Sequence, residues 1–120
     1  EDIEAKLARL AEIDTFDCIV IDYIQLVEVS DAKELPRHEQ IAKVTRRLKQ
    51  LAKKYKCPVI TASQLNDEGR LRESRAIGMD ADCVLMINPD DGDIGLAKNR
   101  NGERGVKLPL VMNGTYQRFE

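Results

Sequence analysis

The sequence predicts an α/β fold in which parallel strands joined by a crossover helix are followed by an antiparallel β-meander. Three observations carry this. Apolar, mostly β-branched runs stand at "DCIVID" (17–22), "PVITASQ" (58–64) and "DCVLMI" (82–87). Near-continuous runs of this kind are the pattern of a parallel sheet covered on both faces. A long stretch of helical period, residues 37–56, lies between the first two, and turn signals break up the chain after the third.

The elements follow in order. Residues 2–13, "DIEAKLARLAEI", place Ile3, Leu7 and Leu10 on one stripe and predict an amphipathic helix. "DTFD" turns the chain into the first strand, 17–22, and "QLVEV" is expected to continue extended. Residues 28–37, "EVSDAKELPR", are polar and contain proline, as a loop does. From 37 to 56, Ile41, Val44, Leu48, Leu51 and Tyr55 repeat at helical spacing. Pro58 stops this helix, because the residue before a proline is pushed out of the helical region. After the second strand, the polar stretch 65–81 leads to the third. "NPDDGD" is a dense turn signal. "IGLAKNR" and "GVKLPLV" flank the turn "NGER", and "NG" at 113–114 predicts a two-residue hairpin into "TYQRF".

With 120 residues, the chain is expected to be a single domain or part of one. A net charge of −2 does not mark a nucleic-acid binder, but the charge is uneven. Residues 41–57 carry Lys43, Arg46, Arg47, Lys49, Lys53, Lys54 and Lys56 and no acidic side chain. These cations suit phosphate contacts or, equally, a solvated or subunit-contacting helix face, and the helix lacks the aromatic platforms that single-strand grooves often add. Cys18, Cys57 and Cys83 form no CxxC or His-paired spacing and are expected to be buried free thiols of a reducing cytoplasm. No apolar stretch approaches the roughly 20 residues of a membrane span, and no signal-peptide pattern stands at Glu1.

Two residues close the first two strands with chemistry. Asp22 ends one and Gln64 follows the other. A crossover connection makes the strands parallel and puts both side chains at the carboxyl edge, where open α/β sheets bind ligands. A carboxylate there can orient the water shell of Mg²⁺, which keeps several waters and bridges nucleotide phosphates. A neutral amide can hydrogen-bond a phosphate oxygen or a lytic water. Taken singly, Asp22 is also what a turn cap looks like, and Gln64 what opens a loop. Arg70, Arg72 and Arg75 follow the second strand. Lys98 and Arg100 lie two residues apart, on one face of a strand near a hairpin tip. Such a pair suits phosphate, since Arg offers a planar fork and Lys a point charge. It equally suits an edge strand kept soluble by charge.

The ordered set "IVIDYIQL", "PVITASQLN", "LRES", "DADCVLMI", "KNRNG" and "NGTYQRF" resembles the C-terminal ATPase domain of replicative DNA helicases of the DnaB type. The resemblance runs from about residue 5 to the end, and six matches in register are much more specific than any one. It implies a RecA-like core, a ring hexamer, hydrolysis of ATP or another nucleoside triphosphate with Mg²⁺ between subunits, and movement along single-stranded DNA. A primase or loader is an implied partner. By position, Asp22 resembles the Walker B aspartate acting on Mg²⁺, and Gln64 the residue that senses the terminal phosphate. Arg72 and Glu73 in "LRES" match the loop that follows the DNA backbone, beside Arg70 and Arg75. The family usually has glycine where Arg75 stands. Lys98 and Arg100 match the pair that reaches into the neighbouring subunit's nucleotide site.

A Walker A loop, G-x-x-x-x-G-K-[ST], binds phosphates through backbone N–H groups and its Lys. None of the seven glycines is followed by lysine. By the resemblance, that loop and the catalytic glutamate are expected upstream of Glu1, which makes residues 1–120 the C-terminal portion of the ATPase domain. The Walker A strand of such a fold lies between the "PVITAS" and "DCVLMI" strands, so one edge of each is expected to lack a partner unless the strands pair differently, another chain supplies the partner, or the sequence is a truncation. Two other readings stand beside the helicase. One is a recombinase or clock-protein relative with the same core. The other is a RecA-like module without catalysis that binds single-stranded DNA or a helicase partner.

Overall fold

The computed structural model describes residues 2–65, 75–87 and 93–120. The chain divides into two compact units, Glu1–Asp80 and Ala81–Glu120.

The first unit opens with helix α1 (Ile3–Ala11), whose first turn is capped by Asp2, its carboxylate accepting from the Glu4 N–H at 2.9 Å. Strand β1 (Ile19–Ile21) follows, then two short 3-10 turns, Ile24–Leu26 and Ser30–Ala32. Helix α2 (Arg37–Tyr55) crosses over to strand β2 (Val59–Thr61). β1 and β2 are parallel, with Ile19 opposite Val59 and Ile21 opposite Thr61. The Thr61 hydroxyl adds a bond to the Ile21 carbonyl at 2.9 Å. Helix α3 (Arg75–Asp80) closes the unit. α2 supplies the centre of the core through Ile41, Val44, Leu48 and Leu51, packed with Leu7, Ile19, Ile24 and Ile77. It ends where the sequence predicts. Lys56 takes a left-handed conformation (φ 54°) and the Cys57 N–H returns to the Ala52 carbonyl, which releases the chain before Pro58.

The second unit is a four-stranded antiparallel sheet in the order β3 (Cys83–Ile87), β4 (Asp93–Asn99), β5 (Val106–Asn113) and β6 (Arg118–Phe119). β4, β5 and β6 form the expected meander, and β3, expected as a third buried strand, joins it antiparallel through β4. Gly105 carries φ +73° at the end of the β4–β5 turn, where a side chain would be strained.

Several expectations are corrected. α1 ends at Ala11, and Leu10 is 43% exposed. Of "QLVEV", Gln25 and Leu26 fall in the first 3-10 turn, while Val27 and Val29 keep extended dihedrals, and Ile24, Val29 and Ala32 are all buried. The turn after β5 has four residues, 114–117, rather than two. The Asn113 side-chain oxygen accepts from both the Thr115 and Tyr116 N–H groups and widens it. Cys57 is buried, but Cys18 and Cys83 are exposed. The strands are not covered on both faces by the described residues. Val20 and Ile60, directly paired, are 67% and 55% exposed, and Leu85 and Ile87 on β3 are 56% and 55% exposed. None of the described helices is long and apolar enough to cross a membrane.

Candidate functional site

The parallel pairing of β1 and β2 places Asp22, one residue past β1, and Gln64, three past β2, at the same end of both strands. Both side chains are exposed. The two loops that carry them are joined. The Ile24 N–H donates to the Ala62 carbonyl at 3.0 Å. The Gln25 amide then donates through Nε2 to Ser63 Oγ at 3.0 Å and accepts at Oε1 from the Gln64 N–H at 3.4 Å. Arg37, the first residue of α2, donates to the Gln25 carbonyl and to Gln40 Oε1. Gln25 is the site residue that sequence reasoning missed. The available signal was an amide alone in the apolar run "YIQLV", three residues after the candidate carboxylate.

Beside Asp22 lies a half-open groove of about 590 Å³, lined among others by Ile21, Tyr23, Leu26, Val27 and Leu48. Gln64 does not line it. Among the described residues no group of three or more His, Cys, Asp or Glu could hold a metal ion. Asp22 therefore offers one exposed carboxylate. That fits an ion that keeps most of its waters and takes its remaining ligands from phosphate oxygens, as Mg²⁺ does.

Arg75 is the exposed first residue of α3. α3 is fixed to α2 at its other end, where Thr45 Oγ1 lies 2.5 Å from Asp80 Oδ2 and Ile77 is buried. Arg70, Arg72 and Glu73 lie outside the described residues. On α2 the cationic face is partly neutralised. Lys43 and Arg47 reach Asp31 at 3.6 and 3.2 Å.

In the second unit, Lys98 is half-buried near the end of β4, and Arg100 is exposed just past it. Arg100 is held at its base, its N–H donating to the Asp82 carbonyl at 2.8 Å and its Nε lying 2.9 Å from Asp82 Oδ1. The fold thus groups Asp22 with Gln64 in one unit and Lys98 with Arg100 in the other.

Comparison with known proteins finds a match over residues 1–120 to the DnaB-like helicase C terminal domain. A probable replicative DNA helicase from Trieres chinensis is 36% identical over 143 residues, covering 98% of this chain and 31% of that protein. The replicative DNA helicase DnaB of Geobacillus stearothermophilus is 33% identical over 140 residues, with the same two coverages. Among solved structures, one described as an ATPase domain superposes with a TM-score of 0.84 at 26% identity, over 98% of this chain and 49% of that one. A DnaB-like replicative helicase, described with its interactions with primase, superposes with a TM-score of 0.83 at 26% identity, over 98% of this chain and 33% of that one. The expected RecA-like α/β architecture agrees with both. The chain spans about a third of the length of these sequence relatives.

Proposed function

This chain belongs to the family of DnaB-like helicase C-terminal domains, and we propose that its residues carry part of the nucleotide site and of the DNA-facing surface of a ring-forming, ATP-dependent replicative DNA helicase. The observation that supports this reading most is the joined pair of loops at the carboxyl end of β1 and β2, with Asp22 on one and Gln64 on the other.

In this reading Asp22 holds the water shell of Mg²⁺, and Gln64 bonds the terminal phosphate through its amide. Bound there, Mg²⁺ would offset charge on the phosphate oxygens. Lys98 and Arg100 serve the nucleotide of the next subunit in a hexamer, where Arg100 stabilises charge on the transferring phosphoryl group. Such an arginine contributes roughly 10³-fold or more in rate, on the order of 4 kcal/mol of barrier. Arg70, Arg72, Glu73 and Arg75 follow the backbone of single-stranded DNA, and a primase or loader is a partner of the ring. No phosphate cradle of the form G-x-x-x-x-G-K-[ST] stands among these 120 residues. That same observation favours a second reading, a non-catalytic module that binds single-stranded DNA or a helicase partner.

The test is Asp22→Asn in the complete protein. Asn is nearly isosteric, so rings and thermal midpoint should be unchanged, while steady-state ATP hydrolysis should nearly vanish. Normal turnover by the purified variant would remove the Walker B role. A parent protein with no ATPase activity of its own would favour the second reading.

A further inference from the structure

Asp82 stands one residue before β3 and Arg100 one residue after β4. Cys83 and Asn99 are register partners, so Asp82 and Arg100 form the next pair outward. They are joined twice, once through the backbone (2.8 Å) and once from Arg100 Nε to Asp82 Oδ1 (2.9 Å). The two side chains are 52% and 56% exposed, Arg100 first. An ion pair this open to water contributes little to stability, so stability alone is a weak account of it. What the contact does control is direction. An exposed arginine samples many rotamers, and a carboxylate on Nε fixes the plane of the guanidinium. The two terminal nitrogens carry most of the group's N–H donors.

We propose that Asp82 is a positioning residue for Arg100. It holds the guanidinium in the orientation from which its terminal nitrogens reach the phosphoryl oxygens of a nucleoside triphosphate bound by the neighbouring subunit. This rests on the reading of Arg100 given above. A donor set in place before reaction needs no reorganisation when charge develops, whereas one that must first be ordered loses part of its effect. The carboxylate meets the guanidinium at Nε, 2.9 Å away, and Nε carries one of its five N–H donors.

The experiment measures ATP hydrolysis by the complete ring-forming protein carrying Asp82→Ala, Asp82→Asn, Arg100→Ala and the Asp82→Ala/Arg100→Ala double substitution. Asp82→Ala should lower kcat about two- to fivefold, the bias on the arginine's orientation that an exposed ion pair can supply. Nucleotide KM, ring mass and thermal midpoint should stay the same. Asp82→Asn keeps an acceptor and should recover most of the rate. The double variant should be no slower than Arg100→Ala, because Asp82 acts through Arg100. Unchanged or faster turnover in Asp82→Ala, with Arg100→Ala slow, overturns the Asp82 role and leaves that of Arg100 standing. Full activity in Arg100→Ala overturns the reading beneath it. A further loss in the double variant, or a lowered midpoint in Asp82→Ala, makes Asp82 structural and also overturns the proposal. Should Asp82→Ala fail to assemble, Asp82→Glu decides. It keeps the charge and shifts the carboxylate by one methylene, so intact rings with reduced kcat are expected, and full activity refutes the role.

Discussion

Residues 2–80 and residues 81–120 are built on different terms. Every buried apolar residue described, from Leu7 to Ile77, lies in the first unit, and Ile41, Val44 and Ile24 are at most 1% exposed. No described residue of 81–120 is buried. That unit is ordered by ladder bonds and turns, while Leu85, Ile87, Val111 and Met112 face outward. Burying a Val, Leu or Ile fully contributes about 1.5–3 kcal/mol, so the hydrophobic stabilisation among the described residues is concentrated in the first unit. The contrast teaches that the same kind of apolar run can be core in one place and uncovered strand in another. Residue type alone does not separate them.

Substitution can break this contrast. Ile41→Ala opens a cavity at the centre of the first core and should cost about 2–5 kcal/mol, measured by urea unfolding of the 120-residue chain. Thr45→Val comes next. It removes the hydroxyl from Asp80 and leaves that carboxylate short of a partner, which should cost about 1–3 kcal/mol. Thr45→Ser keeps the hydroxyl and should recover the part of that loss due to the bond. The smallest effect belongs to the sheet of 81–120. Leu85→Ala should change stability of this chain by no more than about 0.5 kcal/mol, as surface substitutions do. Were Leu85→Ala to cost as much as Ile41→Ala, the strand face would be covered in solution and the contrast would fall. Repeating the pair in the complete protein sharpens it, since a larger Leu85 effect there would measure what the rest of the domain adds.

The parallel core was legible because α2 announces itself. Ile41, Val44, Leu48 and Leu51 repeat at one spacing, Pro58 ends the helix, and a crossover of this length makes β1 and β2 parallel. The placement of Asp22 and Gln64 follows from that topology alone. Gln25 was not legible, because its role depends on a loop 38 residues away, at Ser63. The Asp82 contact was hidden for a similar reason. It depends on the register of β3 with β4, and the shift between Val84 and Leu85 cannot be read from spacing. The 3-10 turns after β1 were missed because Ile24, Val29 and Ala32 need their tight geometry only when α2 is there to receive them. At the end of β5, "NG" signals a turn but not its length, which the Asn113 side chain sets.

The hydrogen bonds around α2 have one more consequence. Gln64 is tied through Gln25 to Arg37 at the first turn of that helix, and Asp80 at the end of α3 is tied to Thr45, about two turns further on. Gln64 and α3 are therefore anchored on one rigid rod, at separate points along its length. Rotating or sliding that rod would shift the two anchors together, and their separation would hardly change. The loop of Gln64 and helix α3 are thus connected to each other through α2.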